Sequence, residues 1–397
     1  MTPQRATTGL ALAAFLLAGC EHAPPTQPAA DATLRAHRVP VATTPGPQTV
    51  LASGLLYPRG LTFGKDGDVY VAEAGTPAGH TMSTVGQCEQ VPPPQGPHRG
   101  GATGRISRID ARGARTTVAS GLPSAADPAN AVVGVTDLAF VDRHLYALVN
   151  GGCSQGHLDV PASVLRVARD GSWRVAADLS AWVHANPVAN PSPRDFEPDG
   201  DWYSMIFANG RLLAVDANRG EIVSVQPQSG RVSRLADVSA DVGHAVPTAI
   251  AEARGGELLV GELTTFPAKP GAASVLRYGR DGRLRGAITG FTAILGVDTD
   301  RHGNVYVLES FTCASAAPCF PSPGSGRVTR IDARGARQVV ASGLSFATSA
   351  RIGDDGALYI SNFGYGPPNA GQIVRVANPD AGAARGGKGD DDDDDDD

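Results

Sequence analysis

Five side chains that could offer oxygen ligands occupy one place in a phrase the chain repeats. They are Glu73 in "DVYVAE", Asp216 in "RLLAVD", Glu262 in "ELLVGE", Glu309 in "NVYVLE" and Asn362 in "ALYISN". Val149 fills the place in "HLYALV", with Asn150 one residue on. If these groups faced one another, the carboxylates would repel and invite a cation that prefers oxygen, such as Ca2+. Glu73, Glu262 and Glu309 are the expected metal ligands, with Asp216 and Asn362 completing a candidate ligand or cation ring. The alternative is structural: an acid at the root of a loop hydrogen-bonds the N–H groups of that loop.

Other chemistry finds less support. The chain has no GxSxG elbow and no cysteine set beside a histidine for nucleophilic work. His80, His98, His157, His184 and His244 fall on segments that read as loops, where a histidine is expected to be solvated. Trp202-Tyr203 could give a ligand an aromatic wall, or could plug a channel. Thr248 is expected near the same channel.

The elements that would position these residues come from repetition. "RIDARGAR" occurs at 108–115 and again at 330–337, followed by "TTVASGL" and "QVVASGL". Each copy is preceded by a strand phrase, "GDVYVAEAG" or "GNVYVLES", and fainter copies fill the interval. Six units of roughly 55 residues result, each with short alternating strands A to D, the signature of a propeller blade. Asp-Gly and Ser-Gly pairs supply the tight turns. The sixth unit stops after its C strand, "QIVRVA", while "QTVLASGL" at 48–55 matches the D strand "RQVVASGL". The expected fold is all-β: a six-bladed β-propeller, four antiparallel strands per blade, closed by the N-terminal strand.

That fold puts A–B and C–D turns on one face and B–C and D–A loops on the other. The first set is short throughout. The second includes long segments at 75–104, 150–162, 181–200, 238–246 and 310–326. Loops carry function more often than scaffold does, so the long-loop face is the expected binding face for a small molecule or a protein.

The ends of the chain read differently. Residues 1–19 carry one charge, Arg5, then an apolar run from Leu10 that suits a secretory signal. Leu17-Ala18-Gly19-Cys20 resembles a bacterial lipobox, which makes Cys20 the expected lipidation site. Residues 20–46 read as a flexible tether, 47–380 as the propeller and 381–397 as a disordered acidic tail. The expectation is an exported, lipid-anchored protein at the periplasm, outer membrane or cell surface, with Glu21 leaning toward the outer membrane. The formal charge is −6, and without the eight aspartates at 390–397 the remainder carries +2. No basic face suggests nucleic acid.

Beyond Cys20, four cysteines remain, an even number in an oxidising setting, which predicts two disulfides. Three pairings are possible. Cys313 and Cys319 lie in one loop and are expected to pair, leaving Cys88 with Cys153. No CxxC suggests zinc.

Four passages, "SGLLYPRGLTFGKDGDVYVAEAG", "SWRVAADLSAW", "VPTAIAEARGGELLVGELTTFPAKPGAASVLRY" and "GLSFATSARIGDDGALYISNFG", together resemble the ScyD/ScyE family of exported six-bladed propellers, whose overall shape is similar to the TolB-like superfamily. The resemblance covers Val50 to Val376, and "VGELTTFP" is its most specific phrase. It implies fold and export, with no firm activity. The chain departs from the pattern in two places. Asp201-Trp202-Tyr203-Ser204 stands where Asn-Pro-Tyr-Gly is usual, and Gly296 stands where an Asp is usual. The reading favoured is a ligand- or partner-binding propeller. The alternative is a metal-dependent lactonase of the gluconolactonase type, with Ca2+ in the channel.

Overall fold

Alternating apolar residues between Gly-rich turns fold here into six antiparallel sheets. A computed structural model describes residues 47–193, 196–313, 319–377 and 379. The expected signal, the tether with Cys20 and the acidic tail lie outside the described residues.

The six sheets are blades around an axis. The A strands are Pro58–Phe63, Val135–Val141, Trp202–Ala208, Pro247–Glu252, Ile294–Thr299 and Ser349–Ile352. Neighbouring A strands pack against one another round the axis. The B strands are Val69–Glu73, His144–Val149, Arg211–Asp216, Leu258–Glu262, Val305–Glu309 and Leu358–Asn362. B strands such as Leu212 to Asp216 are buried on both faces, because each blade is covered by its neighbours.

Six apolar clusters fill the junctions between blades. Between blades 2 and 3, Leu148, Val164, Trp202, Met205 and Val223 pack together. Ring closure is as expected: Gln48–Leu55 pairs antiparallel with Gly371–Val376, Gln48 opposite Val376 and Leu55 opposite Gly371. The first strand in sequence thus becomes the outer strand of the last blade, which leaves no open edge at the seam.

The structure departs from the sequence reading in three loops. In blade 1 the C and D strands run on as Arg99–Ile109 and Arg115–Ala126, and Val132–Val133 adds a fifth strand. Gly100 permits the extension, since a Cβ there would collide with the carbonyl of Gly156. Two segments read as loops contain short helices, α1 (Leu179–Ala185) and α2 (Val238–Val242). Asp178 and Asp237 cap them by accepting from Ala181 N and Ala240 N.

Candidate functional site

The five ring residues sit where the sequence put them, each the last residue of a B strand on the long-loop face. Their side chains serve the loops. Glu73 accepts from Leu56 N at 2.6 Å, and Glu309 accepts from Thr292 N at 2.9 Å. Asp216 accepts from Asp201 N at 3.1 Å, and Asn362 Oδ1 accepts from Ser345 N at 2.8 Å. In four blades, therefore, one acceptor grips the backbone of the loop that enters the A strand.

The opposite residue on the C strand decides the charge. Glu73 lies across from Arg105, which donates through Nε at 3.0 Å and Nη2 at 2.6 Å; Ser107 Oγ donates as well. Glu309 lies across from Arg327, which donates at 2.6 Å. Asn362 meets Gln372. Asp216 faces Glu221, whose partners are Arg234 at 2.7 Å and the Trp182 indole at 3.2 Å. Glu262 accepts from Ser274 N at 3.0 Å.

This corrects the expected ring. Among the described residues, no group of three or more His, Cys, Asp or Glu is placed to hold one metal ion. The expected ligands Glu73 and Glu309 are already neutralised by arginine. Burial pushes the third, Glu262, up to about 7, so near neutrality it holds a proton much of the time. Burial also raises Asp216, and burial together with Asp216 pushes Glu221 up to about 7. The residues do not fit a Ca2+ cage, which gathers about six to eight oxygens, carboxylates among them, on one point.

The axis is occupied by a group that sequence reasoning missed. Arg351, from the A strand of blade 6, donates Nη1 to Ile250 O at 3.0 Å and Val297 O at 3.3 Å. Its Nη2 reaches Asp137 Oδ2 and Ser204 Oγ, both at 3.4 Å. Asp137 is buried and also accepts from Ser204 Oγ at 2.9 Å and Met205 N at 2.8 Å. Burial raises its pKa, and Arg351 opposes the shift. Asp298 behaves likewise and accepts from Ile352 N at 2.7 Å. Blade 1 contributes Gly60, where a Cβ would overlap the Asp137 carboxylate. The signal was present: Asp137, Asp298 and Arg351 are charges of both signs inside otherwise apolar A strands.

Nearer the long-loop face, Arg59 lies beside Tyr203 and Tyr365. Arg59 Nη2 donates to Val132 O at 2.7 Å, and the Tyr365 hydroxyl meets Ser310 Oγ at 3.1 Å. Burial raises both phenols, and the Arg59 charge works against it. Arg59 and Tyr203 are each the second residue of an A strand, in blades 1 and 3. Tyr365 and Ser310 follow the B strands of blades 6 and 5. The aromatic dipeptide at 202–203 was legible in the sequence, but its members divide. Trp202 is fully buried in the junction of blades 2 and 3, and Tyr203 alone turns to Arg59. Thr248 is also buried and ties blade 4 to blade 5 by donating to Ile294 O at 2.6 Å.

The remaining long loops are stapled. Cys88 joins Cys153 with Cα atoms 6.2 Å apart, linking the B–C loops of blades 1 and 2, and Cys313 joins Cys319 within one loop. His80, His98 and His157 are buried at the first staple, against expectation. His80 Nε2 meets Ser124 Oγ at 3.0 Å, and His157 Nε2 meets Ser124 O at 2.8 Å. Ser124 is itself buried, and its Oγ also bonds Thr103 N and Oγ1, so the pair works as a loop junction.

No model of a known protein family matches the chain, and no curated protein does. Solved structures do match. A calcium-binding protein, regucalcin, from Agrobacterium tumefaciens is similar with a TM-score of 0.52 at 14% identity, over 85% of this chain and 95% of that one. A protein of unknown function from Bacteroides thetaiotaomicron gives 0.51 at 12% identity, over 85% and 74%. A gluconolactonase from Xanthomonas campestris gives 0.49 at 10% identity, over 83% and 89%. At such identities the likeness establishes the six-bladed propeller and leaves activity open.

Proposed function

We propose that the chain is an exported, lipid-anchored propeller that binds a ligand or protein partner through its long-loop face; its resemblance to the ScyD/ScyE family supports the export and adds no activity. The observation that carries this reading is the convergence of Arg59, Tyr203, Tyr365 and Ser310 from four different blades on that face. A guanidinium near two phenols suits a small organic acid, with the carboxylate on the cation and the body against the rings. The carboxylates of the blades are spent on loops and arginines, which supports binding over metal-assisted hydrolysis.

Thermal-shift measurements with a panel of small carboxylic acids test the site, with Arg59→Met as the control. Acids that raise the melting temperature of the wild type but not of the variant support it. A panel with no such acid, or hits indifferent to Arg59, would sink it. Mass spectrometry of the mature N-terminus tests the anchor separately: diacylglycerol on Cys20 is expected, and a free thiol there would remove the anchor from the reading.

A further inference from the structure

The short-turn face carries an ion pair repeated in blades 1, 4 and 6 that blade 2 lacks. At one C-strand position, blades 1, 2, 4, 5 and 6 all place an arginine: Arg108, Arg166, Arg277, Arg330 and Arg375, opposite Tyr70, Tyr146, Leu259, Tyr306 and Tyr359. In three of these blades an acid of the A–B turn neutralises it. Arg108 pairs with Asp66 at 2.6 Å, Arg277 with Glu257 at 2.9 Å and Arg375 with Asp355 at 2.7 Å. In blade 2 the turn is Asp142-Arg143, followed by His144, and Arg166 has no ion pair with it among the described residues.

The C–D turn of blade 2 adds to the excess. Arg143, His144, Arg166, Arg169, Trp173 and Arg174 line a groove of about 510 Å3. None of its four arginines makes an ion pair or a side-chain hydrogen bond among the described residues. The nearest turn acid, Asp170, is spent on Ser172, whose N and Oγ both donate to it. Asp142, the other acid nearby in sequence, is exposed and does not line the groove. Four guanidinium groups without partners are positioned for phosphate oxygens, which they bind with paired donors.

Topology indicates where such phosphates lie. The closing strand starts at Gln48 beside Val376, where the last C strand ends, and C strands end on the short-turn face. The segment that leads back to Cys20 therefore leaves from the face that carries the groove. We infer that the blade 2 groove binds the phosphate headgroups of an anionic lipid surface, holding the propeller with its short-turn face to the membrane and its long-loop face away. The lipid source rests on the tether reading above; the anion chemistry of the groove does not. Trp173, half-buried at the rim, suits a headgroup boundary, where one side is apolar and the other wet.

The test uses the full chain with Cys20→Ser, so that no acyl group contributes and the inference stands or falls apart from acylation. Sedimentation is measured with vesicles of phosphatidylcholine alone, and with vesicles in which about a third of the lipid is phosphatidylglycerol. Binding to the anionic vesicles alone is expected, and it should fade as ionic strength rises. Each surface arginine contributes about fivefold to such partitioning. Arg143→Gln, Arg166→Gln, Arg169→Gln and Arg174→Gln together should therefore weaken it roughly 600-fold. A control removes the same charge elsewhere on the face through Arg112→Gln, Arg231→Gln, Arg283→Gln and Arg334→Gln. It should lose far less. Equal loss from both sets, or no preference for anionic vesicles, would overturn the inference. So would stabilisation by inorganic phosphate without vesicle binding, which makes the ligand a soluble anion. Binding seen only after residues 390–397 are deleted assigns the groove to the chain's own aspartates and overturns it too.

Discussion

Arg351 and Asp137 meet across the central channel, Nη2 to Oδ2 at 3.4 Å, although 214 residues separate them. Arg351 also bonds blades 3, 4 and 5, so one side chain from blade 6 ties together strands from five blades. Its removal should leave the buried Asp137 carboxylate without its cation. Arg351→Met is expected to cost about 3–5 kcal/mol in urea unfolding. The double variant with Asp137→Asn should recover part of that loss, because no uncompensated charge remains. A single variant that unfolds at the wild-type midpoint would show the axis to be incidental.

Ring closure gives a second prediction. Removing residues 47–54 uncovers the edge of Gly371–Val376. The truncated chain should aggregate or be clipped by protease near the seam, since an unpaired edge recruits other strands. Unchanged melting and protease resistance would contradict the closure.

The stapled loops differ in leverage. Cys88 and Cys153 are 65 residues apart, whereas Cys313 and Cys319 are six apart. If chain entropy dominates, replacing both members of the first pair by Ser should cost about 4 kcal/mol, and of the second about 2 kcal/mol. Denaturation of the two double variants checks the order. The reverse order would indicate that the small loop carries strain or packing that entropy does not describe.

Protonation should pull stability in two directions. His98 is buried, and burial lowers it to about 4. The folded protein thus binds that proton less readily than the unfolded chain, and the contribution is lost as pH falls from about 6.5 to about 4. Glu262 has the opposite sign. Its folded pKa is raised to about 7, so its contribution is present in acid and is lost as pH rises through about 7. Compared with wild type at each pH, Glu262→Gln should gain up to about 3 kcal/mol between pH 4.5 and 7. His98→Gln should gain by a similar amount as pH falls from 6.5 to 4. Parallel stability–pH curves for wild type and both variants would show that neither group titrates as its surroundings dictate.

How much was legible follows from what repeats. Strand period, Asp-Gly turns and the match of "QTVLASGL" to "RQVVASGL" fixed the blades and their closure, because each is a local preference copied six times. The last B-strand position was also legible, and the structure puts Glu73, Asp216, Glu262, Glu309 and Asn362 there. Their direction was not. Whether a carboxylate turns to the axis or to a loop depends on which residue the C strand sets opposite, Arg105 or Arg327 against Ser274, and on where the incoming loop presents its N–H groups.

The sequence by itself determined the six-bladed ring and the seam, since each rests on spacing along the chain; of three possible cysteine pairings, the structure shows the expected one. Only the tertiary structure decided that Arg351 crosses to Asp137, that Arg59 comes near Tyr203 and Tyr365, and that four arginines of blade 2 have no ion pair among the described residues. Each of these joins residues from separate strands or turns. Charge and burial act through space, so neither pairing nor its absence can be read from the order of residues alone.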